Sequence, residues 1–343
     1  MAVRTRDSLE DRSHLRHALG DGTASELSGH AGPLADLTAV QPLVLRAQDA
    51  VLSVFAALAC AALLCGGRRV DGWGHAALVF AGVAALPFVF RGIERRWPST
   101  FTRFMATFVP PSLGVFFIYA NLNPLADLLN PHLADARLAA IDLRIFGVHP
   151  GFWMEQRLSG AAIDAFYLCY TSFMMWPVLI GLILYFSPRP RLPELDRFIL
   201  GYLLVMLGSY VGYMVVPAIG PRFYLADLYG GPIRATALGT WLAALFRGSP
   251  YFRDCFPSGH TALTLYCLIE AKRLTPRFFK AMLLPALGLI AATLICRFHY
   301  AIDVICGPLL TLLAIEAADI LHRRLPGIEL GWSHVGEAWR AGR

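Results

Sequence analysis

Two histidines about forty residues apart hold the reactive potential of this chain. His260 closes the tetrapeptide Pro257-Ser258-Gly259-His260, and His299 opens the run His299-Tyr300-Ala301-Ile302-Asp303. His299 and Asp303 are four residues apart and therefore share one helix face. There a carboxylate can accept a hydrogen bond from one ring nitrogen and hold the other toward a substrate. This is the orienter-plus-base logic of nucleophilic catalysis. Pro257 suits the first turn of a helix, where its missing N–H costs nothing, and Gly259 lets an anion come close to the backbone. A helix start presents free N–H groups and a positive dipole end, so Ser258 and Gly259 are candidates to hold phosphate oxygens. Arg297, two residues before His299, could pair bidentately with a phosphate. The chemistry expected is movement of phosphate at a membrane surface.

The elements that must position these groups are apolar helices. Of 343 residues, 56% are hydrophobic and 16% charged, with a mean hydropathy of +0.53, which is too apolar for a soluble globule. Eight apolar stretches can be drawn, near 50–66, 73–90, 103–121, 161–186, 196–216, 257–271, 278–296 and 301–321. Most approach the roughly 20 residues that cross a bilayer. The ten-residue alternation of a membrane β-barrel is missing. The fold class expected is all-α, a polytopic membrane bundle of about eight transmembrane helices. Its divisions are a disordered cytoplasmic tail over 1–45, two accessory spans over 46–100, a membrane domain over 101–322 and a cytoplasmic tail over 323–343.

With the N-terminus inside, the inner segments hold 20 of the 30 Lys and Arg residues. That bias places both termini in the cytoplasm and both histidine motifs on the outer face. The prevalence of Arg and Ala over Lys suggests a bacterial inner membrane with the site toward the periplasm. Positive-inside loops also account for the net charge of +6. No basic patch is interleaved with aromatics, so nucleic acid is not an expected partner. The first 45 residues lack the pattern of a cleaved signal peptide. Five of the seven cysteines lie within apolar runs, and no C-x-x-C pair or His/Cys ligand spacing calls for a metal. Cys255 and Cys296, each a few residues before a motif histidine, could form a disulfide or remain two thiols.

The two histidine motifs, with Val304 and Gly307 following, resemble the second and third signature motifs of the type 2 phosphatidic acid phosphatase superfamily. The His-Tyr-x-x-Asp form, preceded by Gly220-Pro221-Arg222-Phe223-Tyr224, is similar to its inositol phosphorylceramide synthase branch, the inositolphosphotransferases. The resemblance spans roughly 100–322 and implies a six-helix catalytic core. It implies that His299 attacks phosphorus to form a phosphohistidine, that Asp303 orients and charge-stabilises it, and that His260 protonates the departing alkoxide. Ser258, Gly259 and arginines would hold the phosphate oxygens with no metal or other cofactor. The family's Ser-Arg of the third motif is replaced here by Ala292 and Thr293, and its Lys-containing first motif is absent. Arg222 is the replacement the sequence offers, with Arg297.

Asp142, Tyr170, Tyr224 and Asp254 could line a substrate headgroup pocket, or serve as interfacial anchors and loop ion pairs. The activity implied is a lipid phosphatase or phosphotransferase, with a lean to headgroup transfer of the inositol phosphate type. Its partners would be a phospholipid or lipid phosphate, a hydroxyl acceptor that is water or another lipid, and the bilayer itself. Simple hydrolysis of phosphatidic acid or an isoprenyl pyrophosphate is the alternative, and a non-catalytic transporter or scaffold is the alternative of another class.

Overall fold

The computed structural model describes residues 42–245 and 253–330. The expectations for the N-terminal tail up to residue 41 and for the tail beyond residue 330 lie outside them. Long helices form where the apolar runs predict them. α1 (Ala47–Gly66), α2 (Trp73–Arg96) and α3 (Thr100–Ala120) come first, then three short helices, α4 (Asn123–Leu129), α5 (Asp135–Phe146) and α6 (Pro150–Glu155). α7 (Gly160–Thr171), α8 (Met175–Tyr185) and α9 (Leu192–Val215) follow. A second set of short helices is α10 (Pro221–Tyr224), α11 (Ala226–Tyr229) and α12 (Ala237–Leu245). α13 (Gly259–Leu274), α14 (Pro276–Ile295) and α15 (Ala301–Arg324) complete the bundle.

Six of these helices, α1, α2, α3, α9, α14 and α15, are long and apolar enough to cross a membrane. The protein is thus an all-α polytopic bundle. Two of the eight runs depart from a simple span. The 161–186 run is bent by 48° between α7 and α8. There the hydroxyls of Thr171 and Ser172 donate to the carbonyls of Leu168 and Cys169 at 2.7 and 2.6 Å, drawing on acceptors the helix ladder would otherwise use. The 257–271 run is α13, whose 16 residues make it about 24 Å long, short of the roughly 30 Å hydrocarbon core.

α9 is the most enclosed of the six long helices, with Leu195, Phe198, Ile199, Tyr202, Leu203 and Tyr210 all buried. It packs against α3, α13 and α15. α1 shows the opposite habit. Leu52, Ala56, Ala59 and Leu63 form a buried stripe while Val54, Leu58 and Leu64 face outward, the pattern of a helix with one packed face and one lipid face.

At the end of the bundle away from the histidines, charged groups stitch the helices together. Arg91 reaches Asp49 at 2.7 Å and Glu94 at 2.6 Å, and Arg46 reaches Asp196 at 2.8 Å. Residues 43–45, read as part of a tail, instead form a strand, β1 (Leu43–Leu45), paired antiparallel with β2 (Ile328–Leu330). At the histidine end, α5 packs on α15 and α10, α6 on α14, and α12 on α7.

Candidate active site

The two histidine motifs are tied to each other through the backbone. Ser258 is the N-cap of α13, its Oγ accepting from the Thr261 N–H at 3.2 Å, while its own N–H donates to the Asp303 carbonyl at 3.1 Å. Pro257 therefore precedes the helix and does not occupy its first turn. Gly259 is required by close packing. A Cβ there would lie 2.5 Å from the Tyr213 hydroxyl and 3.0 Å from Ser209 Oγ, so only glycine lets α13 start against α9. The His260 ring is then held between two aromatics, 4.6 Å from Tyr170 and 4.2 Å from Phe173 between centroids. Phe173 sits in the bend between α7 and α8, so that irregularity supplies one wall of the histidine.

His299 lies in the turn between α14 and α15, where the Thr293 carbonyl accepts from the N–H groups of both Phe298 and His299. Its Nδ1 is 2.8 Å from the Cys255 carbonyl oxygen. A carbonyl only accepts, so Nδ1 carries a proton, and in the neutral ring that tautomer leaves the lone pair on Nε2. Nε2 faces His260 Nδ1 at 3.3 Å. Asp303 Oδ2 lies 3.6 Å from His299 Nδ1, beyond hydrogen-bond range but close enough to act as a charge. The expected carboxylate–imidazole hydrogen bond is thus displaced by a backbone carbonyl. Asp303 Oδ2 accepts instead from the Tyr300 N–H at 2.8 Å and from Cys255 Sγ at 2.9 Å. Burial and the neighbouring Asp303 push the Cys255 thiol well up from its ordinary pKa.

Both histidines line a cavity of about 190 Å³, together with Tyr119, Tyr170, Arg222, Asp254 and Phe298. Arg222 stands on α10, and its guanidinium lies over the Phe298 ring at 5.1 Å. Asp135 fixes the preceding turn by accepting from the N–H groups of Ile219 and Gly220, each at 2.9 Å, and from the Tyr300 hydroxyl at 2.9 Å. Gly220 has φ +86° and would place a Cβ 2.8 Å from the Phe298 carbonyl. No other residue fits that turn without strain.

A model of the PAP2 superfamily matches residues 137–317, more than half of the chain. The chain belongs to the PAP2 superfamily. No curated protein and no solved structure matches it. PAP2 membership supports a membrane lipid phosphatase-type activity in general, on lipid phosphates in a membrane environment. Both histidines, Asp303 and Arg222 fall inside the matched PAP2 region, whereas α1 to α4 lie before it.

Within this PAP2 site the expected residues divide into two groups. His260, His299, Arg222, Tyr170 and Asp254 meet at the cavity, with Asp303 directly behind His299. The others are placed elsewhere. Arg297 does not line the histidine cavity. It is buried with φ +65°, and its guanidinium grips Glu155 through Nε at 2.6 Å and Nη2 at 2.5 Å. Nη1 donates to the Gly231 carbonyl at 2.8 Å. Ser258 and Gly259 are buried in the cap and the α9 contact and do not reach the cavity wall. Asp142 caps α15 from outside, accepting from Ala301 N–H at 2.8 Å and Ile302 N–H at 3.0 Å. Tyr224 is 45% exposed and off the cavity.

The sequence reading missed Asp135, Glu155, Tyr119 and the Cys255 carbonyl. The acids lie in the 122–160 loop with no local motif to mark them, and a carbonyl has no sequence signal at all. Cys255 and Cys296 are both free and buried. Folding also brings Cys255 Sγ, His299 Nδ1 and Asp303 Oδ2 within 4.8 Å of one another, a spacing a metal ion could use. In the structure the thiol donates to the carboxylate and Nδ1 is held by the Cys255 carbonyl.

Proposed function

We propose that this protein transfers the phosphoryl headgroup of a phospholipid or lipid phosphate through a phosphohistidine at His299. One observation carries the reading: His299 Nε2 faces a second histidine at 3.3 Å, on the wall of a cavity that also holds Arg222. The Nε2 lone pair attacks phosphorus, and the bond from phosphorus to the leaving alcohol breaks with its electron pair on oxygen. The entering phosphate replaces the hydrogen bond between the rings and its negative charge favours a doubly protonated His260, whose freed N–H protonates the leaving oxygen and leaves a neutral ring. An acceptor hydroxyl then attacks phosphorus and gives its proton to His260, and the P–N electron pair returns to His299. Asp303 stabilises the cationic imidazole, and Arg222 neutralises the phosphate oxygens.

The resemblance of Gly220 to Tyr224 and of His-Tyr-x-x-Asp to the inositolphosphotransferase branch supports a lipid hydroxyl as acceptor. The Lys and Arg distribution supports placing the site at the outer leaflet, in a bacterial inner membrane with both termini inside. Purified protein in liposomes with EDTA, given ³²P-labelled lysophosphatidic acid, phosphatidic acid and phosphatidylinositol with diacylglycerol or ceramide, tests the reading. Label in a new lipid, lost in His299→Ala, is expected. Release of free phosphate dependent on His299 would make water the acceptor and the protein a phosphatase. Product that survives His299→Ala would reject the phosphohistidine, and no product from any donor would favour the non-catalytic reading, a transporter or scaffold.

A further inference from the structure

Asp254 is out of place in a phosphate cavity. Its carboxylate shares a wall with Arg222 and the two histidines, where a like charge repels the phosphate oxygens. It is nonetheless held firmly, accepting from the Tyr119 hydroxyl at 2.6 Å and with its backbone bridged to Ala218. A carboxylate offers about four lone-pair sites, of which Tyr119 takes one.

The position of Asp254 suggests a use for the rest. Beside the histidine cavity lies a more apolar one of about 260 Å³, lined by Val115, Phe116, Met206 and Tyr210, and Asp254, Tyr119 and His260 border both. Phe116 is 62% exposed on the outer face of α3, so the groove opens where lipid chains lie. A lipid with its phosphate at the histidines and its chain in the groove must run its connecting segment past Asp254.

We propose that Asp254 selects lipids carrying a hydrogen-bond donor, a free hydroxyl or an amide N–H, in the segment between the reacting phosphate oxygen and the apolar chain. A fully esterified glycerol segment offers that carboxylate acceptors only, and a half-buried carboxylate whose remaining lone pairs meet only acceptors in the bound complex disfavours that lipid. The proposal rests on the reading of the histidine cavity as the phosphate site.

The test uses two lipids that differ by one methyl, 1-acyl lysophosphatidic acid and its 2-O-methyl ether. Their binding to the His299→Ala protein in detergent is read by displacement of a fluorescent lysolipid, so no turnover is needed. The free hydroxyl should bind about tenfold or more tightly than the ether, as expected for a hydrogen bond to a charged group. Adding Asp254→Ala should bring the ratio to within about threefold by weakening the hydroxyl lipid alone, and adding Tyr119→Phe, which frees the carboxylate from its anchor, should give an intermediate ratio. If Asp254→Ala does not fold, Asp254→Asn and Tyr119→Phe carry the comparison. Equal binding of the two lipids before Asp254 is changed, the same preference after it, or an equal loss for both would overturn the proposal. Failure of the phosphohistidine reading would show separately, as product formation that survives His299→Ala.

Discussion

A neutral imidazole reacts through the ring nitrogen that lacks a proton, and in this chain a backbone carbonyl makes that choice. Because Cys255 O holds Nδ1–H of His299, the tautomer does not depend on Asp303, whose role narrows to charge. Asp303→Asn is therefore expected to slow turnover by roughly 10- to 100-fold, the worth of one charged interaction, while His299→Ala abolishes it; single-turnover assays in detergent check the order. His260→Ala should cost about 10² to 10⁴, the usual contribution of a positioned general acid. The Cys255 thiol, raised by burial and donating to Asp303, stays protonated and shielded. N-ethylmaleimide at pH 8 should label the exposed Cys65 and leave Cys255 unmodified until the protein is denatured, as read by mass spectrometry.

At the scale of elements, acids from the 122–160 segment hold the site's helices and turns in place. Asp142 caps α15, Asp135 anchors the turn that carries Arg222, and Glu155 holds Arg297. Asp142→Ala should lower stability by about 1 kcal/mol, the worth of an N-cap. Glu155→Gln leaves a buried guanidinium without its counter-charge and should cost about 3–5 kcal/mol; thermal unfolding in detergent ranks the two. These roles explain what could be read from the chain. Spacing alone placed His299 and Asp303 at a helix start, and a helix does begin at Ala301. Arg297 was misread because proximity in sequence says nothing about side-chain direction, and its left-handed backbone turns the guanidinium toward Glu155. The bend at residues 172–174 was equally hidden, since one Thr-Ser pair inside a long apolar run is too weak a signal to mark a break.

For the whole molecule, apolar runs of helical length were enough to read the class and the order of the long helices, because a bilayer imposes the same requirement on every span. The cavity was not legible in that way. Its walls come from α3, the α7–α8 bend, α10, the start of α13 and the turns before α13 and α15, brought together by helices distant in sequence, α3 and α13 on α9 and α7 on α14. The charge distribution gives a global expectation that can be checked directly. A reporter enzyme active only outside the cytoplasm should be silent when fused after residue 343 and active when inserted near residue 148, and the reverse would invert the site's leaflet. The ribbon between β1 and β2 adds a matter of timing. Its strands are separated by roughly 280 residues, so at about 5–20 residues per second β1 waits some tens of seconds for its partner to be synthesised. Every helix of the bundle has been made before the first strand can close, and a chain interrupted short of Ile328 keeps an open β edge, the kind of surface that invites aggregation.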